Sequence, residues 1–343
     1  MELVINKGDR TPFYTQIQQQ IESLIQTGQL AEGEILPSMN VLASCLGVSK
    51  ETVKKTYSIL VKRGFIEPRQ GKGFFVSDVN KRSSQRILFL MDRNGIYKQM
   101  MLDSFQSTLA RQGHYDLTLL IHNQSVELLR YFLDNHLDRY DWYVVMPHFP
   151  LDDVTQENVL KQLRRIPNRK MILLDRLVPH LPGNFGSVYQ DYDEEVYQAM
   201  MDNREAFRSG QRLWVLTRPT SMYKSYISQA ISRFCQENGV ELTFISDIPD
   251  HFEKQDIYMV LSNQHDYGFV DLVRRIERQG LKVGEDIFLV AYNDIDLNEL
   301  VLGGLSVFST DFRKMGQYAA EMIVNKQLSK IHNDFALIRR KTF

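Results

Sequence analysis

Two short polar stretches near the start of the chain carry side chains that could bind phosphate groups and the edges of bases. In the first, Ser49-Lys50-Glu51-Thr52-Val53-Lys54, hydroxyl and ammonium groups recur within six residues. In the second, Arg69-Gln70-Gly71-Lys72-Gly73, two cations accompany two glycines. Hydroxyl groups and cations are the side chains that most often contact DNA phosphates and base edges. We therefore expect a nucleic-acid-binding surface in this part of the chain.

The elements predicted around these stretches are three helices and a two-stranded hairpin. The first helix begins at Thr11-Pro12, the second after the capping residue Ser38, and the third after Ser49. A strand, a glycine-containing turn and a second strand follow over residues 65–76. The helical residues expected to face the core are Ile17, Ile21, Leu24, Ile25, Val41, Leu42, Cys45, Leu46, Val53, Tyr57, Leu60 and Val61. This order of elements predicts a winged helix-turn-helix, an α+β domain whose third helix enters the major groove of DNA.

The composition is that of an ordinary folded protein, but the charge is uneven. The 343 residues are 43% hydrophobic and 24% charged, which fits two or three domains and excludes disordered and disulfide-rich classes. The net charge is −1, yet residues 50–82 hold nine Lys and Arg against three acids. An isolated basic helix is more often a merely solvated surface. The adjoining hairpin favours a DNA-binding surface instead.

The other chemical signals exclude several classes of protein. Cys45 and Cys235 are too few and too scattered for a disulfide framework, and we expect both to be small core residues. The eight histidines lack metal-ligand spacing, and phosphate-loop, dinucleotide-binding and nucleophile-elbow motifs are missing. The sequence thus predicts no catalytic residues, no metal and no cofactor. It contains no signal peptide and no membrane span, so we expect a cytoplasmic protein without a membrane partner.

Strand-like apolar runs alternate with amphipathic helices from Arg86 onward. This rhythm predicts α/β structure with parallel sheets covered on both faces, and the number of repeats fits two doubly wound lobes of periplasmic-binding-protein-like type. The predicted domains are a winged helix-turn-helix over 8–77, an exposed linker over 78–85 and an effector-binding domain over 86–343. Within the last, the first lobe should comprise about 86–190 plus 310–327, and the second about 191–308 plus 330–343.

Polar residues stand where several of these strands end. They are Asp92, Arg93 and Tyr97 after the first strand, and Asp175, Ser262, Asn263 and Asn293 after later ones. Because the carboxyl ends of parallel strands share one edge of a sheet, these side chains should converge on a cleft between the lobes. Carboxylates and amides suit a polyhydroxylated ligand, and an aromatic ring suits the apolar face of a sugar. Loops are exposed to solvent, however, so any single polar residue at a strand end also has a purely structural interpretation.

Four segments near the start of the chain carry a family pattern. They are Tyr14 to Ile17, Gly28 to Ser38, Leu46 to Val53, and Arg69 to Gly73. On these segments, residues 12–76 resemble the DNA-binding domain of the gluconate-repressor (GntR) superfamily. The family usually has arginine at the positions of Asn40 and Lys50. The DNA-binding residues that this resemblance implies are Ser38, Asn40, Ser49, Lys50, Thr52, Lys54, Arg69 and Lys72.

A second pattern extends over residues 86–343. Its segments are Met171 to Arg176, Val188 to Asp191, Ser262 to Gly268, Val290 to Asp294, and Ser309 to Asp311. On these segments the domain resembles the periplasmic-binding-protein-like effector domain of lactose-repressor (LacI) type regulators. The resemblance implies effector contacts at Asp92, Asp175, Ser262, Asn263 and Asn293, with Lys224 the nearest cation to a family arginine. The two patterns together resemble the arabinose-repressor arrangement.

These observations lead to one functional hypothesis and one alternative. The hypothesis is a homodimeric transcriptional regulator that binds a double-stranded DNA operator and represses carbohydrate-utilisation genes under the control of a small sugar bound between the lobes. The many Tyr and Phe residues, and the lack of a cation cluster in the cleft, favour a neutral sugar such as arabinose or fucose. The alternative is an enzyme, or a solute-binding protein that does not bind DNA, with a Rossmann-like two-lobed body.

Overall fold

The structure is a computed structural model that describes residues 3–6, 8–9, 11–77, 85–113, 115–217, 224–261 and 268–343. The chain divides into two compact units. The first comprises residues 1–85 with 113–116, and the second comprises residues 86–112 with 117–343. The predicted linker lies outside the described residues, except for Gln85, which begins a strand.

The first unit contains three helices followed by an antiparallel hairpin. The helices are α1 (Phe13–Gln26), α2 (Met39–Leu46) and α3 (Lys50–Lys62), and the hairpin strands are β1 (Ile66–Arg69) and β2 (Gly73–Val76). The segment before α2 runs beside β2, where Leu36 N–H donates to Phe74 O at 2.8 Å. Apolar residues of all three helices and the hairpin form a single core. The predicted winged helix-turn-helix is confirmed.

Side-chain caps begin both α2 and α3, and a glycine ends α2. Ser38 Oγ accepts a hydrogen bond from Val41 N–H at 3.3 Å, and Ser49 Oγ accepts one from Thr52 N–H at 3.1 Å. Each bond satisfies a backbone donor that the first turn of a helix leaves without an intrahelical partner. Gly47 ends α2 with φ of 63°, a left-handed conformation that glycine adopts without strain.

The buried face of α2 differs from the prediction. Val41 is 53% exposed and Cys45 is exposed, whereas Leu42 and Ala43 are buried. Because α2 is short and packs against α3, it buries only the side that faces that helix. Positions 41 and 45 lie roughly 100–140° around the helix from that side. The prediction that Cys45 is a core residue is therefore wrong, while Cys235 is buried as expected.

The second unit is built on two six-stranded sheets, which confirms the two doubly wound lobes. The strand orders are β13-β7-β6-β5-β3-β4 in sheet 1 and β14-β12-β11-β10-β8-β9 in sheet 2. Sheet 1 comprises β3 (Gln85–Met91), β4 (Tyr115–Ile121), β5 (Trp142–Val145), β6 (Met171–Arg176), β7 (Gly186–Gln190) and β13 (Lys330–His332). Sheet 2 comprises β8 (Arg212–Leu216), β9 (Glu241–Ile245), β10 (Ile257–Val260), β11 (Phe288–Tyr292), β12 (Ser306–Thr310) and β14 (Phe335–Ile338).

Helices cover these sheets and explain why the central strands are wholly apolar. Strands β5 and β10 are buried at every position, as expected for strands of a parallel sheet with helices on both faces. The helices described in this unit are α4 (Ile96–Ala110), α5 (Val126–His136), α6 (Asp153–Leu163), α7 (Glu194–Asp202), α8 (Arg204–Ser209), α9 (Lys224–Asn238), α10 (Phe269–Arg278) and α11 (Phe312–Asn325).

The chain crosses between the two lobes at three places. The first crossing joins β7 to α7, the second joins β12 to α11, and the third joins β13 to β14. We expected the third crossing between residues 327 and 330. In the structure β13 still pairs with β7 of sheet 1, so this crossing lies between His332 and Phe335. The carboxyl ends of strands from both sheets meet beside the first crossing.

Candidate DNA-binding surface and effector site

One face of α3 is exposed and basic. Lys50, Lys54 and Lys55 are exposed there together with Glu51, whereas Val53 on the opposite side is fully buried. Lys54 Nζ lies 3.6 Å from Glu51 Oε1, but both side chains are well exposed, so solvent screens this ion pair. The predicted residues Lys50 and Lys54 thus lie together on an exposed face of α3, with Lys55 beside them.

Hydroxyl groups stand at the start of the same helix. Ser49 Oγ and Thr52 Oγ1 lie 2.8 Å apart and share a hydrogen bond. Ser38 and Asn40 are exposed at the start of α2. The two predicted serines therefore both cap helices and lie at the surface. A helix N-terminus favours anions, so these positions suit phosphate contacts.

The hairpin presents the two remaining predicted residues differently. The Arg69 guanidinium packs over the Phe75 ring at 4.4 Å, and its Nε donates to Glu67 Oε1 at 2.8 Å. Lys72 is exposed in the turn, which closes through Lys72 N–H donating to Arg69 O at 2.9 Å. Gly71 has φ of 71°, so the turn requires a residue that adopts positive φ. Lys72 therefore lies at the tip, while Arg69 lies along the hairpin.

Two hydrogen bonds hold α3 in place behind this surface. The Tyr57 hydroxyl donates to Pro37 O at 2.7 Å, and Thr56 Oγ1 donates to Tyr14 O at 3.2 Å. Lys55 Nζ lies 3.7 Å from the centre of the Tyr14 ring, a cation–π contact. The buried face of α3 is thus fixed to α1 and to the segment before α2, and its outer face is left for a ligand.

In the second unit, Asp175 is the centre of a buried polar network. It is the next-to-last residue of β6, has φ of 72° and is 3% exposed. Its Oδ2 lies 2.8 Å from His148 Nε2, and its Oδ1 accepts hydrogen bonds from Gln190 Nε2 and from the Tyr192 hydroxyl. Burial alone raises the pKa of Asp175, but His148 and then Lys98 outweigh burial and lower that pKa to about 2. Asp175 is therefore a carboxylate.

Asp92 and Tyr97 lie close to this network. Asp92 is buried and accepts a hydrogen bond from the buried Lys98 ammonium. The Tyr97 ring packs against Phe312 with ring centres 4.7 Å apart. Burial, and then the charges of Asp175 and Asp92, raise the pKa of the Tyr97 hydroxyl. The structure thus brings together three of the predicted effector residues, Asp92, Tyr97 and Asp175.

Arg93 and Asn293 make other contacts in the structure. Arg93 is exposed, and its guanidinium donates to Gln124 Oε1. Asn293 follows β11 with φ of 67°, and its N–H donates to Phe308 O at 2.7 Å. Lys224 begins α9, and Ser262 and Asn263 lie outside the described residues.

Four residues of this site were not among the predicted ones. His148, Gln190 and Tyr192 contact Asp175 directly, and Glu195 lies near it. His148 and Gln190 follow or end strands, as the predicted residues do, so the same strand-end signal could have found them. Glu195 gave no such signal, because an acid in the first turn of a helix ordinarily needs only the helix dipole to explain it.

A cavity of about 350 Å³ lies beside the second crossing. Three of the carboxylates in its lining are paired with cations of the protein, as Asp294–Arg340, Asp296–Arg313 and Asp334–Lys314. Its acids therefore present little uncompensated charge. Among the described residues, no cluster of His, Cys, Asp and Glu could hold a metal ion. Nor does any helix in the described ranges have the length and apolarity needed to cross a bilayer.

Comparison with known sequences separates the chain into the same two parts. The family model for bacterial regulatory proteins of the gntR family matches residues 13–76, and a model of a periplasmic binding protein-like domain matches 258–339. The HTH-type transcriptional repressor YtrA of Bacillus subtilis is 32% identical over 100 residues, which are 29% of this chain and 76% of YtrA. The B. subtilis repressor NagR is 38% identical over 73 residues, which are 21% of this chain and 30% of NagR.

Comparison with solved structures concerns the second unit's fold. The Escherichia coli transcriptional repressor ascG aligns with a TM-score of 0.59 at 15% identity, covering 76% of this chain and 99% of that one. A dimeric Lac repressor with a C-terminal deletion aligns with a TM-score of 0.58 at 17% identity, covering 75% and 98%. These named relatives and neighbours regulate transcription, which agrees with the prediction that the chain is not an enzyme. The chain belongs to the GntR family of bacterial regulatory proteins, as a DNA-binding transcriptional regulator whose second unit has the periplasmic-binding-protein-like fold of LacI-type repressors.

Proposed function

We propose that this regulator represses carbohydrate-utilisation genes, and that a small neutral sugar bound between the two lobes controls its affinity for a DNA operator. The observation that carries the proposal is the network around Asp175, where carboxylate, amide and hydroxyl groups meet a packed aromatic pair, Tyr97 and Phe312. Such groups suit hydroxyl-rich ligands with an apolar face. The negative charge of Asp175 disfavours a sugar phosphate. Arabinose and fucose are the first candidates.

The operator would be bound by the first unit. We propose that the exposed residues of α3 and the hairpin tip, Lys50, Lys54 and Lys72, contact phosphates or base edges, and that Ser38, Asn40, Ser49 and Thr52 contact phosphates at the two helix starts. Arg69 would contact DNA through its Nη groups, because its Nε–H is donated to Glu67. Acting on an operator places the protein in the bacterial cytoplasm.

We further propose a homodimer formed through the second unit. Large apolar side chains are exposed on this unit, among them Val270 at 49%, Leu297 at 51% and Leu300 at 77%. A homodimer interface could bury such side chains. Light scattering coupled to size exclusion should give twice the chain mass for the wild type and the single-chain mass for Leu300→Asp. A monomeric wild type would remove this part of the proposal.

A thermal-shift screen tests the effector. Neutral monosaccharides and their phosphates are added singly, and a neutral sugar should raise the melting temperature with concentration, since a ligand bound only to the folded state stabilises it by mass action. The same sugar should release the protein from the promoter beside its own gene in a gel-shift assay. A response to phosphorylated sugars alone, or to none of the compounds, would contradict the proposed sugar control.

A further inference from the structure

Glu195 lies at the first crossing and is almost completely buried. Its side chain is 2% exposed. Oε1 accepts a hydrogen bond from Asp191 N–H at 2.9 Å and lies 2.7 Å from His332 Nε2. Oε2 is buried and has no hydrogen-bond partner among the described residues. An ionised carboxyl group in this position would leave an unsatisfied charge in the protein interior.

The ionisable groups that face Glu195 come from several elements. Asp191 precedes it in the chain, Asp175 lies one residue before the end of β6, Tyr292 ends β11 and His332 ends β13. The ends of strands from both sheets therefore surround this carboxyl group, so it lies where the lobes meet.

The proton of Glu195 is retained at neutral pH. Burial, together with the negative charges of Asp191 and Asp175, raises the pKa of Glu195 to about 8. Because Oε1 already accepts from Asp191 N–H and is next to His332 Nε2, the proton lies on Oε2. Glu195 thus provides a buried O–H donor whose hydrogen bond no described residue accepts.

Gln190 supplies an acceptor in the same segment. Its side chain is fixed because Nε2 donates to Asp175 Oδ1, and the residue is 6% exposed. Its Oε1 is buried and, like Glu195 Oε2, lacks a partner among the described residues. Buried polar atoms are nearly always hydrogen-bonded in native proteins, so these two atoms of residues 190–195 are candidates for contact with a bound ligand.

We propose that Glu195 and Gln190 recognise one hydroxyl group of an uncharged polyol, with Glu195 Oε2–H as donor and Gln190 Oε1 as acceptor. A hydroxyl group both accepts and donates a hydrogen bond, which matches this pair of atoms. The inference rests on the proposed function, since it concerns the same interlobe site. Both atoms are closed to solvent in this conformation, so the ligand reaches them when the lobes part.

The pH dependence of affinity distinguishes a ligand hydroxyl from a ligand ammonium group. A hydroxyl group that accepts from Glu195 requires the protonated acid, so affinity falls as pH rises through about 8. An ammonium group would instead displace the proton and pair with the carboxylate, so affinity would rise from pH 6.5 up to the pKa of the ligand amine, at about 8. The two ligand classes therefore differ below pH 8, where affinity for a hydroxyl ligand does not rise.

Calorimetric titration of the full-length protein between pH 6.5 and 9.5 tests the proposal. The probes are L-arabinose and L-fucose, with D-galactosamine as the amine-bearing comparison. Wild-type affinity for a neutral sugar should be constant below pH 7 and should fall up to tenfold per pH unit above pH 8. Glu195→Gln keeps a donor that does not ionise, so its affinity should stay within a few-fold of the wild type and lose the pH dependence.

Two further variants complete the test. Glu195→Ala should bind the sugar about ten- to a hundredfold more weakly, because the ligand hydroxyl loses the donor that Glu195 provides. Glu205→Gln, which changes an exposed glutamate of the next helix, should follow the wild type at every pH. Sugar binding that is independent of pH and insensitive to Glu195→Ala would overturn this inference and leave the proposed function standing. Preference for galactosamine with affinity rising with pH would also overturn it. If no probe binds, both this inference and the proposed sugar site are contradicted.

Discussion

Asn333 Nδ2 donates a hydrogen bond of 2.7 Å to Thr310 Oγ1, and so joins the third crossing between the lobes to the second. The same nitrogen donates to Asp311 O at 2.9 Å, and Asn333 N–H donates to Tyr189 O at 2.8 Å, just before the first crossing. The residue is 1% exposed. Asn333 therefore links all three crossings by hydrogen bonds. Any movement of one lobe relative to the other must change the backbone at these crossings.

Removal of this side chain should weaken the fold. In Asn333→Ala, the Thr310 hydroxyl and the Asp311 carbonyl lose a buried donor, which we expect to lower the free energy of unfolding by about 2–3 kcal/mol. Urea denaturation of the full chain measures this quantity. Asn325→Ala, at an exposed position on the end of α11, should change it by less than about 0.5 kcal/mol. Equal stability of the two variants would contradict the role of Asn333.

Lys54 and Lys72 should contribute to DNA affinity mainly through phosphates. Each alanine substitution should weaken operator binding and lower the slope of log affinity against log salt by about 1, because one fewer counterion is released. Fluorescence anisotropy with a labelled promoter fragment at several salt concentrations gives both quantities. Lys161→Ala, an exposed lysine of α6, serves as the control and should leave them unchanged. An unaltered salt slope would show that the substituted lysine does not contact a DNA phosphate.

Ser49 offers a way to separate folding from DNA binding. Ser49→Ala removes the cap of α3 and should cost about 1 kcal/mol of stability. Ser49→Asp restores a capping oxygen and adds a negative charge that the helix N-terminus stabilises. Its thermal stability should therefore match the wild type, while its carboxylate repels phosphates and reduces DNA affinity at least tenfold. Anisotropy and thermal melts on the same preparations check both outcomes. Wild-type DNA affinity in Ser49→Asp would show that α3 does not approach the backbone through its start.

Asp175 should make the protein sensitive to acid. Because its pKa is about 2 in the folded protein and 3.8 otherwise, its stabilising contribution is present above pH 4 and is lost as pH falls towards 2. The difference corresponds to about 2 kcal/mol. Asp175→Asn lacks this carboxylate, so the stability difference from the wild type should shrink between pH 4.5 and 2.5. Denaturant unfolding at these pH values tests this, and a constant difference would mean that His148 does not favour the ionised form.

Local patterns sufficed to predict some parts of the structure. The caps Ser38 and Ser49, the hairpin turn and the alternating strands follow from short-range sequence rules, and the structure contains them. The side on which α2 packs could not be read in this way, because both possible apolar faces of that helix contain hydrophobic residues. The position of α3 decides which side of α2 is buried, and the hydrophobic pattern of α2 alone carries no information about that position.

Long-range partners account for what the sequence did not predict in the site. Asp175 is a recognisable strand-end acid, but the identity of its partner His148 depends on β5 and β6 being neighbours in the sheet. Strands β13 and β14 are too short for a periodic signal, and only their pairing with β7 and β12 defines them. The exact place of the third crossing, and with it the contact between His332 and Glu195, was for that reason not predictable from the sequence.

Glu195 should make the protein lose stability as the pH rises from about 4.5 to 8, even without a ligand. Its pKa is about 8 in the folded protein and 4.5 otherwise, so its stabilising protonation is complete below pH 4.5 and is lost as pH rises through 8. Between these values the free energy of unfolding should fall by up to about 1.4 kcal/mol per pH unit from this group. In Glu195→Gln that slope should disappear, whereas Glu205→Gln should retain it. Chemical denaturation at pH 5.5, 7 and 8.5 measures the slopes, and identical slopes for Glu195→Gln and the wild type would mean that Glu195 is already ionised at neutral pH.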